Sequence, residues 1–294
     1  MKVLITGGTG FIGSHLVRSL TGDQHEVAVL TRSKKSTKNR YLSYLEWDGK
    51  QMPMGIGLYD VVINLAGASI AGGKWTESYK QKIMQSRLDA TRACVEYINR
   101  SPSTPEVFVS ASAVGYYGVK HKGPIDETAS AGDDFTGKVG VQWEAEAKKA
   151  QCRTVIPRIG LVLGEDGGLM DKVLPIYQLY LGGKFASGQQ GYPWIHVQDV
   201  VKAIRFLIEK EDAEGPYNLA APEMVNQATF SHTLAEVLGV KDIWTIPKFA
   251  LDLLFGEQSI LFWGGQKIIP RRLQEAGFEY DFPALREALA EIVD

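Results

Sequence analysis

Lys2-Val3-Leu4-Ile5-Thr6-Gly7-Gly8-Thr9-Gly10-Phe11-Ile12-Gly13 decides how this chain is read. Residues 2–6 form a short apolar run with the character of a buried strand. From Phe11 onward Ile12, Leu16, Val17 and Leu20 recur on one face, which predicts a helix over 11–20. Between the two, the glycines satisfy GxxGxxG from Gly7 and GxGxxG from Gly8. Gly7 serves the tight turn, Gly10 lets backbone N–H groups approach a pyrophosphate, and Gly13 lets the helix pack on the strand. A bound phosphate would then sit at the positive end of the helix. Strand, glycine turn and helix together imply a dinucleotide cradle built from Gly7, Thr9, Gly10, Phe11, Ile12 and Gly13.

The end of the next strand, predicted at 26–30, bears on which dinucleotide. An NAD site usually places Asp or Glu there to accept from the ribose 2′-hydroxyl. Here Thr31-Arg32-Ser33-Lys34-Lys35 follows, with no carboxylate. Arg32 can grip a 2′-phosphate in bidentate fashion, with Ser33 or Lys35 assisting, so the expectation is NADP(H). A third buried strand at 61–65 ends in Ala66-Gly67, small residues that let backbone pass close to a ribose. Asp48 is either an adenine contact or an ordinary turn aspartate, and Arg87 either reaches the cofactor or lies on a helix surface.

Further along, the pattern predicts a long helix over 77–99, stopped by the Ser101-Pro102-Ser103-Thr104-Pro105 loop, and a strand at 106–110. A helix over 139–150 and a strand at 153–158 follow. Short apolar strands alternating with helices argue for an α/β protein with a doubly wound parallel sheet. Beyond that the regularity weakens into glycine-rich turns. The expected division is a nucleotide-binding domain over 1–160, with a return segment near 192–210, and a smaller C-terminal α/β substrate lobe over 161–294. Residues 246–272 are expected to cover its pocket; Leu253, Leu254, Phe255, Leu261, Phe262 and Trp263 fit either a core or a dimer face.

Bulk properties narrow the function class. The 294 residues carry a net charge of −2, 45% hydrophobic and 22% charged residues, ordinary for a globular chain. No global field draws in nucleic acid or acidic lipid, and the basic run from Arg32 to Arg40 lacks interleaved aromatics. Neither nucleic acid nor membrane is therefore an expected partner. The first residues do not read as a signal peptide, and the apolar stretch from Phe249 to Trp263 is broken by Asp252 and Glu257. Cys94 and Cys152 fit no metal-ligand spacing and read as reduced thiols of a cytoplasmic protein, with no metal expected.

Three segments taken together, the glycine turn, Asn64-Leu65-Ala66-Gly67 and Ser110-Ala-Ser112-Ala-Val-Gly-Tyr116-Tyr117-Gly118, resemble the extended short-chain dehydrogenase/reductases. The resemblance covers essentially the whole chain. It is nearest to an atypical branch, the NAD-dependent epimerase/dehydratase-like or "cell-division-inhibitor-like" nucleotide-sugar epimerases. Trp143-Glu144, Gly160-Leu-Val-Leu-Gly164, Trp194-Ile-His196 and Pro270-Arg271-Arg272-Leu273 are among its marks. What it implies is a Rossmann domain followed by a substrate lobe. The implied cofactor contacts fall on the glycine turn, Thr31-Arg32, Leu65-Ala66 and Arg87, with a further one near Ile159. The superfamily's chemistry uses Ser, Tyr and Lys: the Tyr as acid and base, the Lys lowering its pKa and holding the ribose, the Ser polarising the carbonyl. Ser112 matches the serine.

The Tyr-x-x-x-Lys pair, however, falls on Val139-Gly140-Val141-Gln142-Trp143, and both side chains are missing. Tyr116 and Tyr117 are the substitute acid candidates, against the reading that one packs in the core and the other lines the pocket. Lys138 is a candidate source of charge, and His196 reads as structural. Two functions follow as expectations. One is an NADP(H)-dependent oxidoreductase or epimerase-like enzyme acting on a small molecule, with a homodimer as the assembly to test. The alternative is a non-catalytic NADP(H)-binding sensor or regulator.

Overall fold

The computed structural model describes residues 1–119, 121 and 123–294. Its central sheet is built from β1 (Lys2–Thr6), β2 (Glu26–Thr31), β3 (Leu42–Glu46), β4 (Val61–Asn64), β5 (Val107–Ser110), β6 (Arg153–Ile159) and β7 (Gly215–Leu219). The helices that accompany it are α1 (Phe11–Gly22), α2 (Glu77–Arg100), α3 (Phe135–Ala147) and α4 (Val197–Glu209). Strand order is β3-β2-β1-β4-β5-β6-β7, with the short strand Ser112–Ala113 pairing β6 off this path. The pairs β1·β2, β1·β4, β2·β3, β4·β5 and β5·β6 are all parallel.

This is the doubly wound Rossmann order that the alternating pattern predicts. Strand order reverses between β1 and β4, so the carboxyl ends of those two strands flank the crevice where such folds take ligands. The strands are nearly continuous apolar runs because both faces are covered: β4 and β5 are buried at every position. Leu4, Val62 and Phe108 share one core with Ala90, Cys94 and Ile98 of α2.

By internal packing the chain forms two compact units of nearly equal length. The first is Met1–Ser112, Val139–Arg158 and Val201–Pro216; the second is Ala113–Lys138, Ile159–Val200 and Tyr217–Asp294. Segment 113–138, assigned to the N-terminal domain on the sequence pattern, thus falls in the second unit. Its Tyr117 and Ile125 pack with Ala220 and Ile268, which the sequence places a hundred residues away. The segment that returns to the first unit is Val201–Pro216, overlapping the expected 192–210.

Within the second unit, Met170–Gln178, Gln227–Val237 and Leu285–Val293 are helices around a core that includes Met170, Trp194, Phe230, Leu234 and Leu289. Short parallel pairs join Leu161–Leu163 to Trp194–His196 and Gly183–Phe185 to Trp244–Ile246. In the segment 246–272, Leu253 and Leu254 are exposed, so they belong to no core within the unit. Among the described residues no helix is long and apolar enough to cross a membrane.

Candidate functional site

The glycine turn lies at the carboxyl end of β1, against that of β4. Gly7 has φ +71°, a conformation that side chains disfavour, and a Cβ there would stand 2.6 Å from the Leu65 carbonyl carbon and oxygen. A Cβ on Gly13 would stand 2.2 Å from the Gly7 carbonyl oxygen and 2.7 Å from the Gly8 Cα. Both glycines are therefore required by close backbone approach. At the start of α1, Gly10 leaves the helix without a side-chain cap, and no acid occupies the first turn. Unoccupied N–H groups at a helix start with no competing carboxylate suit a diphosphate. Thr9 and Gly10 are exposed at the tip, while Phe11 and Ile12 are half-buried.

Asn64 braces the facing loop from below. Its Oδ1 accepts from Thr6 Oγ1 at 2.6 Å and from the Ala66 N–H at 3.3 Å, while its Nδ2 donates to Thr91 Oγ1 at 2.9 Å. These bonds hold Leu65-Ala66-Gly67 beside the glycine turn, with Leu65 and Ala66 half-buried and Gly67 exposed. Arg87 is half-buried. It donates through Nη1 to the carbonyls of Ala68 and Ile83, at 3.0 and 2.9 Å. Burial pulls its pKa down to about 10, slightly offset by Tyr79. Its guanidinium carbon lies 5.0 Å from the centre of the Trp143 ring.

Thr31 ends β2, buried, and its Oγ1 accepts from the Ser33 N–H at 3.3 Å; Arg32 and Ser33 are exposed. Lys35 reaches over the Tyr44 ring at 6.0 Å. Strand β3, which the sequence pattern missed, sets exposed Glu46 in register with Thr31. A carboxylate one strand away is thus a feature of the β2 tip that linear reading did not find. Asp48 is a turn aspartate: its Oδ1 accepts from the N–H groups of Lys50 and Gln51, which hold its carboxyl below the ordinary range.

Ser112 is buried and its hydroxyl donates to Glu144 Oε1 at 2.8 Å. Glu144 in turn accepts from Arg158 Nε at 2.7 Å and Nη2 at 2.8 Å. The guanidinium meets the carboxyl group through two parallel bonds, one to each oxygen. Ser112 has one proton, and Glu144 takes it. The oxygen therefore offers lone pairs, and the carbonyl-polarising role that the family resemblance implies would need this bond to break. Neither Glu144 nor Arg158 stands out in the sequence as part of such a network; only the packing of α3 beside β6 brings them to Ser112.

Of the two tyrosine candidates, Tyr117 lies in a small core and Tyr116 packs against the same cluster. Tyr117 is fully buried and donates to Asn218 Oδ1 at 2.7 Å. Tyr116 is half-buried, its ring edge-on to that of Tyr117 with centroids 5.4 Å apart. Lys138 is exposed. His196 is buried in the second unit, with Nε2 3.0 Å from Glu291 Oε2 and its ring 4.0 Å from Phe282. Ile159 is buried at the end of β6 and belongs to the second unit.

A doubly wound sheet with a glycine cradle at its switch point defines a Rossmann-type nucleotide-binding protein. The chain belongs to the NAD dependent epimerase/dehydratase family, which matches residues 3–220; residues 246–292 match a domain of unknown function, DUF1731. An epimerase family protein of Staphylococcus saprophyticus is 39% identical over 294 residues, covering 99% of this chain and 98% of that one. Its counterpart in Staphylococcus epidermidis is 36% identical over 302 residues, covering 99% of each.

Among solved structures, the human epimerase family protein SDR39U1 (isoform 2), crystallised with NADPH, superposes with a TM-score of 0.92. It is 34% identical, over 99% of both chains. UDP-glucose 4-epimerase from Thermotoga maritima, solved with UDP-glucose, gives a TM-score of 0.79 at 21% identity over 100% of this chain and 97% of that one, a likeness of fold alone.

Proposed function

We propose that this chain binds NADP(H) on its first unit and is an enzyme of the extended short-chain dehydrogenase/reductase type, oxidising or reducing a small alcohol or carbonyl compound. The observation that carries the cofactor is the cradle: Gly7 and Gly13 have no room for a Cβ, and α1 begins without a cap. The human relative crystallised with NADPH supports the choice of the phosphorylated form. The residues fit such a group. The glycine turn from Gly7 to Gly13 would hold the diphosphate, Arg32 with Ser33 the 2′-phosphate, and Leu65-Ala66-Gly67 with Arg87 the ribose on the other side. When bound, the nicotinamide supplies a hydride donor or acceptor.

The chain's own contribution to the chemistry differs from that of the superfamily. Ser112, whose hydroxyl hydrogen is engaged by Glu144, offers only its oxygen lone pairs to a polar group of the substrate. The sequence's candidates for the proton donor and acceptor are Tyr116 and Tyr117, of which Tyr117 is bonded to Asn218 and Tyr116 is the one to test. An epimerase would use the same groups twice, taking a proton and returning it.

The test is NADPH oxidation by purified protein across sugar nucleotides, carbonyl compounds and quinones, repeated with Tyr116→Phe. Turnover that falls at least tenfold in Tyr116→Phe is expected. No turnover with any of them, or trace activity indifferent to the substitution, defeats the enzymatic reading. One observation favours a second reading, a non-catalytic sensor. Val139 and Trp143 occupy the Tyr and Lys positions, and Ser112 is already committed as a donor. Tight NADPH binding without consumption would favour it.

A further inference from the structure

Trp143 stands four residues after Val139, on α3, at the position where the family resemblance would put the lysine. The indole is buried, 6% exposed, yet its Nε1–H has no hydrogen-bond partner. Buried donors are nearly always satisfied, so an orphan asks for an explanation. A second orphan lies at the carboxyl tip of β5: Ser110 Oγ, fully buried, on a residue paired in register with Asn64. The Arg87 guanidinium covers the Trp143 ring and is neutralised by no carboxylate among the described residues; it rests on two carbonyls and the indole. Arg87 also fills the space beside Gly67, where a Cβ would stand 3.2 Å from its Cζ.

These contacts form a chain within the first unit. Gly7 presses on Leu65, Gly67 on Arg87, and Arg87 on Trp143. A guanidinium without a carboxylate partner therefore lies beside the loop that faces the glycine cradle, stacked on an indole whose N–H is unmet. A hydroxyl or phosphate oxygen would satisfy both, whereas an apolar ligand would satisfy neither.

We infer that Arg87 and Trp143 together replace the missing lysine. Trp143 Nε1–H donates to a ribose or phosphate oxygen of the bound dinucleotide, and Arg87 supplies the positive charge. The inference rests on the NADP(H) reading above and adds Trp143 to it as a binding residue.

Indole resonances of the uniformly 15N-labelled full chain, recorded with and without saturating NADPH, test it. Six tryptophans give six indole N–H signals, and that of Trp143 is assigned by its loss in Trp143→Phe. Trp194 serves as an internal control, since its Nε1 is also buried without a partner but lies in the core of the second unit. The Trp143 signal should move downfield on binding and that of Trp194 should not. Trp143→Phe keeps an aromatic face for Arg87 and removes only the donor, so NADPH binding should weaken about fivefold to tenfold. Arg87→Ala should weaken it further, by tens of fold. If NADPH binds, the Trp143 signal stays fixed and Trp143→Phe has the wild-type Kd, the inference is overturned while the nucleotide site stands. If folded wild-type protein binds no NADPH at all, the nucleotide reading fails and takes this with it.

Discussion

Glu144→Ala is the substitution whose cost the structure defines most sharply. Glu144 and Arg158 are 2% and 3% exposed, and their two bonds at 2.7 and 2.8 Å are joined by that of Ser112. Removing the carboxylate leaves a buried guanidinium with its charge uncompensated, which costs roughly 3–5 kcal/mol. Alanine is the best helix former, so propensity in α3 acts in the opposite direction and cannot be the source of the loss. At about 2–4 °C per kcal/mol, Tm should fall by about 10 °C. Ser112→Ala, which removes one bond to a charged acceptor, should cost only about 1.5 kcal/mol.

Circular dichroism melts of the full chain measure both. Glu144→Leu with Arg158→Met removes both charges together and should recover most of the loss, because a buried ion pair is worth little against apolar packing. A fall below about 2 °C for Glu144→Ala, or a double variant no better than the single one, would refute the reasoning.

Gly13→Ala should weaken NADPH binding more than tenfold, since its Cβ would meet backbone at 2.2 Å; a titration returning the wild-type Kd would contradict that. Glu46→Gln removes a carboxylate in register with Thr31 and should shift preference toward NADPH over NADH by about twofold to threefold at low salt. The effect should fade at high salt, and a shift toward NADH would be the wrong sign. Cys94 is fully buried and its thiol pushed up by burial, so a thiol reagent should modify at most Cys152 in the native protein and both cysteines in denaturant.

The first unit was largely legible because its strands and helix starts carry strong local signals. Residues 2–6 and the glycine turn read correctly since a buried parallel strand has no polar alternation to confuse it. Strand β3 escaped because Leu42-Ser-Tyr-Leu-Glu46 is a half-exposed edge that never settles into an apolar run. Helix α3 was placed at 139–150 but runs Phe135–Ala147. Its early start comes from Asp134, whose Oδ1 accepts from Thr136 Oγ1 and the Gly137 N–H.

The cradle was readable because its residues are contiguous. The Ser112–Glu144–Arg158 network was not, because it joins three elements through side chains whose spacing of 32 and 14 residues has no periodic mark. For Arg87 the sequence leaves a cofactor contact and a surface position both open, for the same reason: only Gly67 and Trp143, distant in sequence, show how its side chain is covered.

Isothermal titration of the folded chain with NADPH and NADH, on wild type and Arg32→Ala, tests the central claim most directly. NADPH should bind more tightly than NADH to the wild type. Arg32→Ala should lose on the order of 1.5–3 kcal/mol with NADPH, about tenfold to a hundredfold, while leaving NADH unchanged. Absence of heat with either nucleotide at millimolar concentration, or equal loss for both on Arg32→Ala, would contradict the account.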